Sequence, residues 1–168
     1  EVALAQAEAA LGVIPTWAAE EITRKGRAEL MDVVKMKAQI DLTLHPIVPL
    51  IRVFKDACAD GAGAYINYGA TTQDIMDTAA VLQSKDAIAI IERRLADFES
   101  VLAELAGKYR DTLMAGRTHG QHALPITFGF KVAVWLDEFR RHCARLNDCK
   151  PRLLVGQFGG AVGTLASF

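Results

Sequence analysis

Cysteine, proline and any surplus of charge are scarce in this chain, and each scarcity excludes something. Three cysteines, Cys58, Cys143 and Cys149, form an odd and widely spaced set. That is no disulfide framework of the secreted kind and fits a reducing compartment. The 19 Lys and Arg nearly cancel the 20 Asp and Glu, leaving a formal net charge of -1, which argues against a general polyanion binder. With 51% hydrophobic residues the chain is also not compositionally disordered. No uninterrupted apolar run approaches the ~18 residues that a membrane span requires. The opening Glu1-Val2-Ala3-Leu4-Ala5-Gln6 has neither an initiator Met nor the basic-then-apolar pattern of a secretory signal. The expected location is the cytoplasm, with no nucleic-acid or membrane partner.

What is present is apolar residues in helical rhythm. Mean hydropathy is +0.17, high for a soluble protein, so the surplus belongs in a core or an interface. Five prolines and 13 glycines punctuate the 168 residues at a few places only, and the stretches between them read as helix. Residues 1–11 form a first helix stopped by Gly12 and Pro15. A short one begins near Thr16, and another covers Ala28 to Thr43. His45-Pro46 breaks the chain and starts a helix ending near Gly61. Residues 61–70 read as a loop. A long helix runs from Thr72 to about Ala106, with the seam Ile88, Ile91, Leu95, Phe98, Leu102 and Leu105. A second runs from about Pro125 to Lys150, with Phe128, Val132, Trp135, Phe139, His142 and Leu146. These heptad-like seams predict an all-α bundle of long helices. The same residues could equally be filling one protein's interior.

Several constellations could carry chemistry. His119 sits in Gly116-Arg117-Thr118-His119-Gly120-Gln121-His122, between the two long helices, beside a small Gly and a hydroxyl-bearing Thr118. It could transfer protons near neutral pH or be a hydrogen-bonded structural histidine. Thr71-Thr72-Gln73-Asp74 matches a capping box. The free N–H groups and hydroxyls at such a helix start could also hold a carboxylate or phosphate. Gly156 to Thr164 is glycine-rich but lacks the Gly-Lys-Ser/Thr ending of a phosphate loop, leaving a hinge or a substrate-contacting loop as readings. His119 and His122 with Cys143 and Cys149 have the wrong spacing for zinc, so no metal and no cofactor are expected.

Three ordered segments carry a resemblance. Asn67-Tyr68-Gly69-Ala70-Thr71-Thr72-Gln73-Asp74, Gly116-Arg117-Thr118-His119-Gly120-Gln121-His122-Ala123-Leu124-Pro125 and Gly160-Ala161-Val162-Gly163-Thr164 resemble the fumarase/aspartase superfamily. The nearest branch is that of adenylosuccinate lyase and 3-carboxy-cis,cis-muconate cycloisomerase. The resemblance implies an L-aspartase-like long-helix bundle, a homotetramer whose active sites are shared between subunits, and a small dicarboxylate or succinyl substrate. It further implies β-elimination with release of fumarate. His119 would act as general acid, with His45 as the histidine that assists it. Asn67, Thr71, Thr72, Asp74, Thr118 and Gln121 would bind substrate. Asn67 stands where the family usually has His, and Asn, which carries no charge, gives a nucleotide phosphate no ionic support. A cycloisomerase, or a helical assembly protein that kept the scaffold without the activity, are the competing readings.

On this resemblance the chain is expected to be an incomplete piece. Residues 1–70 would be the remainder of an N-terminal helical domain, and residues 71–168 the first part of the central bundle. The serine base would lie beyond Phe168, and the piece alone is expected to be inactive.

Overall fold

A computed structural model describes residues 1–168. The chain is mostly helical, with one two-stranded antiparallel sheet. It divides into two compact units: Glu1–Ala80 with Gly156–Phe168, and Val81–Val155. No helix is long and apolar enough to cross a membrane.

In the first unit, α1 (Val2–Ala10), α2 (Thr16–Lys25), α3 (Val33–Thr43) and α4 (Ile47–Ala57) are followed by a 3-10 turn at Ala62–Tyr65 and the start of α5 (Thr72–Lys108). Ala5, Ile14, Ala19, Ile22, Phe54 and Ile66 are buried together, with Tyr65, Ile51 and Met31 packed against them. On α4, Ile47 and Phe54 stand seven apart and Pro49 and Val53 four apart, and these two pairs make up its buried side. The helix expected over 28–43 is interrupted. Ala28–Leu30 is a separate 3-10 turn, and α3 starts afresh where the Asp32 carboxylate accepts the Lys35 N–H at 2.9 Å. Aspartate competes for the backbone this way, and so it starts helices better than it continues them.

The second unit holds the rest of α5, β1 (Leu113–Thr118), β2 (Gln121–Thr127) and α6 (Phe128–Leu153). The segment between the two long helices, the second of them expected to begin near Pro125, is a hairpin. Pro125 lies in β2 opposite Ala115, where a two-stranded sheet leaves an edge that needs no N–H. The helix begins only after Thr127, whose hydroxyl accepts the Phe130 N–H at 3.1 Å. The turn itself is His119-Gly120, with φ of 48° and 73°. Positive φ at both central residues is the type I′ arrangement that matches the twist of a two-residue hairpin.

Within this unit α5 and α6 run antiparallel, since Glu92 pairs with Lys150 and Glu99 with Arg140. The intrachain seam follows the apolar spacing in large part. Ile88, Leu95, Leu102 and Leu105 turn inward and Phe98, though 41% exposed, meets Phe139 of α6 ring to ring at 4.6 Å, while Ile91 is 49% exposed. Glu92 and Glu99 also take inner positions, half-buried against their cationic partners. On α6, Val132 is buried and Phe128, Phe139 and Leu146 are half-buried as the spacing predicts, while Trp135 and His142 are exposed and Leu136 and Cys143 are half-buried in their place.

Candidate active site

The candidate residues fall on two local frameworks, one in each unit. In the first unit the centre is the N-terminus of α5. Thr71 and Thr72 are half-buried and Asp74 is 2% exposed. One Asp74 oxygen accepts the Thr71 N–H at 3.0 Å, closing the carboxylate half of the expected capping box. The same carboxylate also accepts the Gly159 N–H and the Gly160 N–H, each at 2.9 Å. Burial alone pushes the Asp74 carboxyl up, but the N–H groups of Thr71, Gly160 and Gly159 outweigh it and hold the group below the ordinary carboxylate range.

Asp74 is therefore saturated by backbone. One turn along α5, Thr78 makes a second tie: its hydroxyl donates to the Gln157 carbonyl and accepts the Gln157 N–H, both at 3.1 Å. The glycine-rich stretch singled out in the sequence is thus fastened to the first two turns of α5. Gly160 has a φ of 74°, and a Cβ there would stand 3.1 Å from the Gly69 carbonyl oxygen. Only glycine fits that turn without strain.

His45 lies directly beside this framework. Leu44 ends α3 in the left-handed region with a φ of 53°, and the chain then swings the His45 ring over the start of α4. Its Nδ1 accepts the Val48 N–H at 3.2 Å, and its Nε2 lies 3.3 Å from the Thr72 hydroxyl oxygen. Asn67 takes a left-handed φ of 63°, a conformation Asn tolerates better than most residues. Its Oδ1 is buried without a hydrogen-bond partner.

In the second unit the hairpin presents the remaining candidates. His119 occupies the turn itself, Thr118 is the last residue of β1 and Gln121 the first of β2, paired in register with it. All three are exposed. The Arg117 guanidinium lies 3.3 Å from Nε2 of His122, one pair further back.

The structure thus joins Thr71 to Asp74 and Thr72 to His45, and it places His119 with Thr118 and Gln121 on one hairpin end. Sequence reasoning missed Thr78, Gln157 and Val48 as supporting partners, because Gln157 and Val48 act through backbone groups that carry no residue-type signal and the Thr78 hydroxyl finds its partner 79 residues away. No group of three or more His, Cys, Asp or Glu side chains is arranged to hold a metal ion.

The family model for lyases matches residues 1–168. The chain is 46% identical over 168 residues to an N-acetyl-S-(2-succino)cysteine lyase of Enterococcus italicus, and 44% identical over 167 residues to an adenylosuccinate lyase of Methanothermobacter thermautotrophicus. These alignments cover 100% and 99% of the chain. Among solved structures, a fumarate lyase from Mesorhizobium sp. BNC1 superposes with a TM-score of 0.95 at 52% identity, covering 99% of this chain and 39% of that one. A β-carboxy-cis,cis-muconate cycloisomerase from Acinetobacter calcoaceticus sp. ADP1 gives 0.95 at 41% identity, covering 99% and 40%. The chain spans 37% of the length of each of the two curated relatives. With the family model matching from end to end and the same fold recurring in these lyases, the chain belongs to the lyase family of the fumarase/aspartase superfamily.

Proposed function

We propose that the full-length protein is a lyase that breaks a bond β to a carboxylate in a succinyl-type substrate and releases fumarate, in the manner of adenylosuccinate lyase. The observation that carries this reading is the N-terminus of α5. There two half-buried threonines stand at the start of a 37-residue helix, whose first N–H groups have no partner within the helix, while the one carboxylate among them, Asp74, is already satisfied by three backbone donors. Such a terminus attracts anionic oxygens. Asp74, its lone pairs engaged, opposes an incoming carboxylate far less than a free aspartate would.

In this reading a base removes the proton on the carbon next to one carboxylate, and negative charge collects on that carboxylate as an aci-carboxylate. Thr71, Thr72 and Thr118 donate to those oxygens, stabilising charge that is largest at the transition state. The bond to the leaving atom then breaks, its electron pair going to that atom, and His119 supplies the proton that neutralises it. The type I′ turn holds His119 at a fixed point. Asn67, lacking charge, favours a succinyl adduct without a phosphate, and the succinocysteine lyase among the relatives is named for such a compound. The base comes from outside residues 1–168, and each site is assembled from several subunits of a homotetramer.

The test offers the full-length protein adenylosuccinate, N-acetyl-S-(2-succino)cysteine and 3-carboxy-cis,cis-muconate, following each by ultraviolet absorbance. Fumarate should be released from a succinyl compound, and His119→Ala should lower kcat by about 10²- to 10⁴-fold, the usual contribution of a general acid. A His119→Ala protein with wild-type turnover would overturn the assignment. The likeness to the solved cycloisomerase supports a second reading, which would prevail if only the muconate were consumed and no fumarate appeared. Failure to bind any of the three, with the tetramer intact, would leave an assembly protein on a lyase scaffold.

A further inference from the structure

We infer that His45 is a positioning residue that aims the Thr72 hydroxyl at a substrate carboxylate, rather than a carrier of protons. This rests on the lyase reading above for the identity of the anion, but not for the geometry. An N–H can only donate, so the Val48 N–H, 3.2 Å from Nδ1 of His45, requires a lone pair on that nitrogen. The neutral imidazole then carries its single proton on Nε2. Nε2 lies 3.3 Å from the Thr72 hydroxyl oxygen, so the ring N–H donates to that oxygen. The hydroxyl's own proton is thereby left to point elsewhere, toward whatever acceptor occupies the N-terminus of α5.

The relay runs in one direction, from the Val48 N–H through the ring to Thr72 and then to the anion. Its starting point is built into the fold. Pro46 caps α4 but has no side chain able to accept a hydrogen bond, so the second N–H of that helix would be an orphan. The His45 ring fills the place a Ser or Asp side chain usually takes. Nδ1 is engaged by the Val48 N–H and Nε2 by the Thr72 hydroxyl, so in this arrangement neither ring nitrogen is left free to exchange a proton directly with a substrate atom. Thr72 adds its own constraint, since a β-branched side chain is restricted at χ1, which narrows the arc through which the hydroxyl can swing.

The experiment uses the full-length protein with ¹⁵N-labelled histidine. Long-range ¹H–¹⁵N correlation spectra, with the His45 signal assigned from its absence in a His45→Leu variant, should report the Nε2–H tautomer. In parallel, fumarate binding is measured by calorimetry. His45→Leu should weaken it about tenfold, the scale of one hydrogen bond to a charged group. His45→Gln, whose amide can donate to Thr72 but can carry no proton, should restore it to within about threefold. Combining Thr72→Val with His45→Leu should weaken binding no more than Thr72→Val alone. An Nδ1–H tautomer or an imidazolium in the free protein would overturn the assignment. So would a His45→Gln protein that loses kcat as fully as His45→Leu. If no succinyl compound is turned over while the Nε2–H tautomer is present, the lyase reading fails and the positioning role of His45 stands.

Discussion

Glu8 is a buried carboxyl with no group to take its charge. It is 4% exposed, and neither of its oxygens has a hydrogen-bond partner. Burial first, and the nearby Glu1 carboxylate second, raise it to about 7. A carboxyl raised on folding binds more protons in the native state than in the unfolded one between its two values. The stabilisation linked to it is full below the unfolded value near 4.5 and is lost as pH rises through about 7. Glu8→Gln, which keeps the shape and removes the charge, should therefore raise the melting temperature of the full-length protein by a few degrees at pH 8 and change it little at pH 5. Thermal scans of the two proteins at both pH values check this. An equal effect at both would show that Glu8 is already ionised in the fold.

At the scale of elements, the join between α5 and the glycine-rich segment is one the sequence half disclosed. The capping box at Thr71 to Asp74 was legible because a hydroxyl residue followed three positions later by an acid marks a helix start. The second use of Asp74, holding Gly159 and Gly160, was not, because its partners are backbone N–H groups more than eighty residues away. Asp74→Asn keeps the size but turns one acceptor into a donor facing N–H groups. It should cost about 2 kcal/mol, in the range for hydrogen bonds to a charged acceptor. Amide hydrogen exchange should show Gly159 and Gly160 losing protection while the middle of α5 keeps its own. Unchanged protection would mean the segment is held without Asp74. The hairpin, and the polar part of the seam, lay beyond the sequence for related reasons. Gly116, Gly120 and Pro125 look like loop punctuation until two consecutive positive φ values make His119-Gly120 a turn. Apolar spacing alone could not show that Glu92 and Glu99 would sit inside, because that depends on Lys150 and Arg140 arriving from α6. The long helices themselves were plain in the sequence, since helical periodicity sustained over many turns is the strongest local signal there is.

For the molecule as a whole, the apolar residues left outside that seam are informative. If Glu92 and Glu99 face α6 within the chain, the apolar residues beside them need another explanation. Ile90, Ile91 and Val101 on α5, with Phe130, Val134 and Trp135 on α6, are all between 42% and 60% exposed. Scattered apolar residues need none, but six on the two long helices of one unit exceed what a free surface usually carries. Further copies of the same bundle would bury them, as the proposed homotetramer requires, and charge introduced there would have to be desolvated without a partner, at a cost of several kcal/mol. Ile91→Glu combined with Val134→Glu in the full-length protein should therefore shift the mass measured by light scattering from tetramer toward smaller species. Turnover should fall with it, although His119, His45, Thr71 and Thr72 remain in place, because a site drawn from several chains is lost when the chains part. A variant that stays tetrameric and fully active would show that these side chains face solvent in the assembled protein, and that the apolar surplus in the composition is used elsewhere.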